Sequence, residues 1–213
     1  MGPYVAILSA AARTLLQYRA AALAGMVTQL FFGFVMVQAY TAFYEAAAQT
    51  PPMSLTEVIG YVWLGQAMLG MFPWNVDPEI RDQIRSGGVV YELLRPVDLY
   101  SLWFARAIAR RTVPTLLRAV PLFIVATTFL GLPLPAGADA LLAWLAATFC
   151  ALVLSAAITT LLSITLMWTL SGDGAMMLVV AVVVFCSGQA VPLPLYPDWL
   201  LPLIQSLPFR GLI

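Results

Sequence analysis

Five stretches of the chain are apolar over a long enough run, and free enough of charge, to cross a bilayer, and the polar positions fall between them. A spanning helix needs about 20 mostly apolar residues to traverse a hydrocarbon core roughly 30 Å thick. The runs lie at about Ala20 to Tyr44, Val58 to Trp74, Pro114 to Leu132, much of Ala140 to Leu170, and Ala175 to Val191. Ahead of the first, "PYVAILSAAARTLLQYR" sets Tyr4, Ile7, Leu8, Ala11, Leu15 and Tyr18 near helical spacing, with Arg13, Gln17 and Arg19 offset from them. The spacing predicts an amphipathic helix over 1–19 at the membrane interface, or else an extension of the first span. After the fifth run, "VPLPLYPDWLLPLIQSLPFRGLI" carries Pro192, Pro194, Pro197, Pro202 and Pro208, too many for a regular spanning helix. Residues 192–213 therefore predict short interfacial or re-entrant helices on the extracytoplasmic side. Residues 1–213 read as one transmembrane domain, an all-α, polytopic helical membrane protein.

Charge gives this pattern an orientation. The longest polar interval, 77 to 111, holds 11 of the 20 charged side chains. Six Arg lie between the second and third runs and Arg13 and Arg19 precede the first, whereas the intervals 45–57 and 133–139 carry no Arg. Positive charge is retained on the cytosolic side near span ends, so the N-terminus and the charged island are expected in the cytosol, with the chain multi-pass in a cell inner or plasma membrane. Five spans from a cytosolic start put residue 213 on the far side, and an ending at "GLI" reads as a chain cut short before a sixth span.

Composition narrows the chemistry. The chain is 62% hydrophobic and 9% charged, with a mean hydropathy of +0.92, against roughly 45–50% apolar residues in soluble domains. All ten basic residues are Arg, and there is no Lys or His. That removes Ser-His and Cys-His relays, the HExxH zinc helix, His-ligated haem and the phosphate-binding lysine of a Walker motif. No catalytic residue and no metal site is expected, and energy drawn from nucleotide has to come from another polypeptide. Cys150 and Cys186 sit inside apolar runs without ligand spacing and read as packing residues. The Arg residues at the N-terminus follow its apolar part, the wrong order for a cleaved signal peptide. The bilayer is the partner this composition implies; no nucleic acid is.

Within the island, "DPEIRDQIRSGG" has the punctuation of a short helix: Asp77 to cap it, Pro78 in the first turn, and Gly87 or Gly88 for a left-handed stop. Asp77 with Arg81 and Asp82 with Arg85 are spaced as intrahelical ion pairs, each worth only about 0.2–0.5 kcal/mol. So short a helix needs something to pack against. Ile80 and Ile84 share one of its faces, and "VVYELL" follows. A second cap, Asp98, opens "LYSLWFARAIARR", expected to run along the interface and turn into the third span at Pro114. On spacing alone the island is either a solvated loop or a docking surface. Elsewhere, Arg118 falls about two turns into an apolar run and must snorkel or face a polar path. Ser155, Thr159, Thr160, Ser163 and Thr165 give the fourth span a lightly polar stripe, which lines a path or bonds back to carbonyls. Arg118, Thr159 and Ser163 are thus the candidate path residues. Gly60, Gly65 and Gly70 recur every five residues and predict close helix packing, and "SGDG" at 171–174 predicts a turn with Asp173 capping the fifth span.

"EIRDQIRSGGVVYELLRPVDLY", taken with "SGQAVPLPLYPDWLLPLIQSLPFRGLI", resembles the permease subunit of type-2 ATP-binding-cassette (ABC) exporters, the six-span drug- or antibiotic-exporter-like group. The resemblance covers essentially the whole chain. It implies a type-2 ABC permease fold with six spans, five of them visible here, and a coupling helix within 77–96 that seats in a groove on a separate ATPase. It further implies that Glu79, Arg81, Asp82 and Arg85 make polar contacts there and that Ile80, Ile84, Leu93 and Leu94 form the apolar seat. Gly87, Gly88 and Pro96 would set the bends, with Arg95 between seat and bend. The implied function is export of an amphipathic substrate (drug, lipid or glycan) by alternating access. The implied partners are two ABC ATPase subunits, which hold ATP and Mg, and a second copy of this permease or a related one; this chain holds no cofactor. The alternative is a non-transporting membrane partner, such as an assembly or immunity subunit, whose island only docks another protein.

Overall fold

A computed structural model describes residues 19–47, 50–169 and 172–212, together with residues 6, 9, 10, 13, 14, 16 and 17. The interfacial helix expected over 1–19 lies largely outside the described residues. All regular structure among those described is helical: α1 (Arg19–Ala46), α2 (Leu55–Met68), α3 (Pro78–Arg85), α4 (Val89–Leu93), α5 (Leu99–Phe129), α6 (Ala138–Thr169), α7 (Asp173–Ser187) and α8 (Leu201–Ser206). Single 3-10 turns follow at Leu69–Met71, Leu193–Leu195 and Pro208–Leu212.

Three helices are long and apolar enough to cross a membrane, Ala20–Ala46, Leu99–Phe129 and Ala138–Thr169. The second and fifth expected spans are shorter than their apolar runs. Helix α2 starts early, at Leu55, because Ser54 and Glu57 close a capping box there. It ends at Met68 and gives way to the 3-10 turn and an extended Phe72. Its 14 residues reach only about 21 Å. Helix α7 ends at Ser187, followed by Gly188 in the left-handed region at φ 92°. It begins at Asp173, with Gly172 in the N-cap position.

The third span departs from expectation in the opposite sense. No interfacial helix turns upward at Pro114; α5 is one helix of 31 residues that runs through both Pro114 and Pro121. Each proline removes a backbone donor, yet the buried face Ala107, Arg111, Thr115, Ala119 and Leu122 is continuous across both. Packing along that face outweighs the local preference to stop.

Helices α1, α2 and α5 enclose one core, built from Trp63, Ala67, Ala119, Leu122 and Ala126 with Met26 and Leu30 against them. Gly33 lets α1 lie directly on the Trp63 ring, where a Cβ would collide. Gly60, Gly65 and Gly70 face Pro133, Gln189 and Thr115 respectively, so the five-residue spacing gives close packing against three different neighbours. The Pro-rich end turns back into the molecule. Leu212 is buried with Phe72 and Val183, and packs beside Leu154 and Ile158 in the middle of α6.

Candidate functional site

The charged island folds inward. Asp77 caps α3, accepting from the Glu79 amide at 3.0 Å, and Pro78 occupies the first turn. Gly87, at φ 77°, supplies the left-handed stop. The eight-residue α3 is sustained by packing: Ile80 and Ile84 join Leu102 and Trp103 of α5, Leu162 and Leu166 of α6 and Met176 of α7 in one buried cluster. Here the structure corrects the expected apolar seat. Ile80 and Ile84 are 2% and 6% exposed and cannot face a partner; a helix this short is held by giving its apolar face to its own protein.

The carboxylates are likewise tied to α5. Asp77, buried, accepts from Arg106 at 3.0 Å and pairs with Arg110 at 3.2 Å. Arg106 also pairs with Glu79, and stands 3.7 Å from the buried Glu92. The Trp103 indole donates to Glu92 at 2.8 Å, deep in the interface. These bonds fasten the start of α3 and the middle of α4 to one face of α5. The Asp77 carboxylate thus serves Arg106 and Arg110 across the fold, beyond the i,i+4 partner the spacing suggested.

What remains outside is a compact surface. On α4, Val89 and Glu92 point inward, while Val90, Tyr91 and Leu93, with Leu94 just after the helix, are exposed, Tyr91 and Leu94 by about three quarters of their area. Around them Glu79, Asp82, Arg85, Gly87, Arg95 and Pro96 are exposed, and Arg81 and Gly88 half-buried.

One ionised side chain goes deeper. Arg111 of α5 is 6% exposed. Its Nε donates to Ser155 of α6 at 2.8 Å, one Nη to the Ala107 carbonyl at 3.2 Å, and the other to Thr159. Ser155 in turn donates to the Met71 carbonyl, at the point where the second apolar run leaves helical geometry. Irregular backbone at membrane depth persists only where protein groups satisfy it, and the Trp74 indole adds a bond to the Leu69 carbonyl at 2.7 Å. Beside Arg111 lies a cavity of about 170 Å³ between the end of α2 and helices α3, α5 and α6.

The polar stripe of α6 therefore has two uses. Thr160, Ser163 and Thr165 return their hydroxyls to backbone carbonyls, while Ser155 and Thr159 hold Arg111. Of the candidate path residues, Thr159 and Ser163 line the cavity. Arg118 is not brought to them; it lies against α1, where a Cβ on Gly25 would come within 2.6 Å of its guanidinium carbon.

Sequence reasoning missed Arg111, Glu92, Trp103, Arg106 and Arg110 as a structural set, counting the arginines as marks of orientation. A signal was present: Ala107, Arg111, Thr115 and Ala119 recur every four residues, as do Ser155, Thr159 and Ser163, which is the pattern of two closely packed helix faces.

Residues 23–211 match the model of a family described as ABC-2 family transporter protein. No curated protein and no solved structure matches the chain.

Proposed function

The chain belongs to the ABC-2 family of transporter proteins, a multi-pass membrane transport subunit that works with an ABC ATPase, and from that premise we propose that α3 and α4 are its coupling element. The reading is of a permease that exports an amphipathic substrate from the cytosol by alternating access, with the N-terminus and the island on the cytosolic side. Two ATPase subunits and a second permease, identical or related, complete the assembly, and ATP and Mg are held by the ATPases.

The observation that carries the reading is the two-sidedness of α3–α4. One side is fused to α5, α6 and α7 by the Ile80–Ile84 cluster and the Asp77–Arg106–Glu92 ion pairs. The other side offers Tyr91, Leu93 and Leu94 with Glu79, Asp82 and Arg85 beside them. An element that receives a push from a separate protein must be rigidly joined to the helices it moves and must present a surface to the pusher. The docking surface in this reading is α4 with the outer edge of α3, and Ile80 and Ile84 serve the joint.

The test is co-expression with the cognate ATPase. Leu93→Asp with Leu94→Asp, both exposed, should leave the fold and thermal stability intact while abolishing ATPase co-purification and transport. Co-purification and transport at wild-type levels would show that α4 is not the docking element.

A further inference from the structure

The ion pairs of the island join Asp77, Glu79 and Glu92 to Arg106 and Arg110, and Arg111 stands apart from them. Its three bonds go to Ser155, Thr159 and the Ala107 carbonyl, all neutral, and none of the ion pairs among the described residues includes it. A buried charge without a counter-charge is costly unless something else neutralises it. Those three bonds use Nε–H and one N–H on each Nη, which leaves one donor on each Nη of a guanidinium that lines the 170 Å³ cavity. One donor on each Nη of a guanidinium can serve two oxygens of one oxyanion.

The rest of the cavity suits the same ligand. Arg110 lines it too, 43% exposed, as does Asn75, whose side-chain amide can donate; Thr159 and Ser163 also line it, with their hydroxyl protons given to the Ser155 and Thr159 carbonyls. Asp77 also lines it, but its carboxylate is already held by Arg106 and Arg110. Trp74 and Trp103 form the apolar wall. The exposed Asn75 and Arg110 give access from the side that carries the island.

We propose that this cavity binds a single phosphate-class oxyanion, held by Arg111 and Arg110, at the junction of α2, α3, α5 and α6. The proposal does not depend on the transport reading, since it concerns equilibrium binding to this chain. The anion is either free in solution or the headgroup phosphate of a membrane lipid entering at the same level.

The purified full-length chain, delipidated in a neutral detergent, is titrated at constant ionic strength with inorganic phosphate and, separately, with short-chain phosphatidic acid. Tryptophan emission and thermal unfolding are the readouts, because Trp74 and Trp103 border the site. Saturable phosphate binding with a rise in unfolding temperature supports a soluble anion, and binding of phosphatidic acid alone supports a lipid headgroup. Arg111→Gln should weaken binding by roughly tenfold or more. Should that variant fail to fold, Ala107→Leu fills the cavity while leaving the arginine in place, and should also abolish binding. Absence of both ligands' binding to the wild-type chain, equal binding of chloride, or undiminished binding to the folded variants overturns the proposal.

Discussion

Two of the described stretches that leave helical geometry in the packed interior are held by different means. Between α2 and α5, Asp77, Glu79 and Glu92 meet Arg106 and Arg110, with the Trp103 indole closing the inner side. Between α7 and Leu212 the bonds are neutral. Tyr61 donates to the Gly188 carbonyl at 2.9 Å and Tyr196 to the Phe185 carbonyl at 2.9 Å, around an apolar cluster of Cys186, Tyr196 and Ile204. The charged residues of that second segment, Asp198 and Arg210, are exposed. An ion-pair joint resists separation of its parts more steeply than neutral bonds do, because parting them strands charges in a poorly solvated layer. The ion pairs tie α3 and α4 to α5 through charge, whereas the tyrosines brace the second segment through neutral bonds.

The largest test of this contrast is Asp77→Ala. It removes the cap of α3, takes from Arg110 its ion pair with Asp77, and leaves Arg106 with Glu79 and Glu92. Breaking a buried pair by deleting one member costs about 3–5 kcal/mol, and the partial exposure of Arg110 sets the expectation at the lower end, about 3 kcal/mol. Asp77→Asn separates the two roles, since Asn caps helices as well as Asp does, and should recover about 1 kcal/mol of the loss. Unfolding midpoints in one detergent, at low and at high salt, measure both. The wild-type joint should weaken as salt rises. Equal stability of Asp77→Ala and wild type would mean that the ion pairs hold nothing.

How far the contrast was legible in the sequence follows from the range over which each signal acts. Caps are local, and Asp77 with Pro78, Asp98 and the stop at Gly87 stand where their spacing put them. The existence of five apolar segments is also local, a matter of composition along the run. Which way a face points is decided by partners tens of residues away: Ile80 and Ile84 were legible as one face, but its direction depended on Leu162, Leu166 and Met176. Pro114 was a strong local stop signal that lost to a buried face running 107 to 122. The shortness of α2 and α7 escaped because an apolar run continues past a helix end when the irregular segment is itself buried, as Phe72 and Pro73 are.

An intermediate effect is expected at the neutral brace. Tyr61→Phe and Tyr196→Phe each delete a hydroxyl that donates to a carbonyl and leave the ring packing in place. Each should lower stability by about 1 kcal/mol, and in neither case should the loss depend on salt, in contrast to Asp77→Ala. A salt-dependent loss in Tyr61→Phe would erase the distinction between the two regions.

The smallest effect sharpens the comparison within the charged island, between its two capping aspartates. Asp98 caps α5 from an exposed position, accepting from the Ser101 amide at 2.7 Å. The Ser101 hydroxyl and amide together hold its carboxyl below the ordinary aspartate range. A depressed folded value means that the stabilisation is fully present above the unfolded value of about 3.9 and is lost as pH falls through the folded value beneath it. Asp98→Asn keeps a capping oxygen and removes the proton equilibrium. The difference in unfolding temperature between wild type and Asp98→Asn should therefore be flat from about pH 8 to pH 5 and shift only below about pH 4. Because the group is exposed and is in none of the ion pairs among the described residues, the shift should be far smaller than the loss in Asp77→Ala. A difference that varies across the neutral range would mean that Asp98 is engaged by a charge elsewhere, and the two caps would then differ in degree and not in kind.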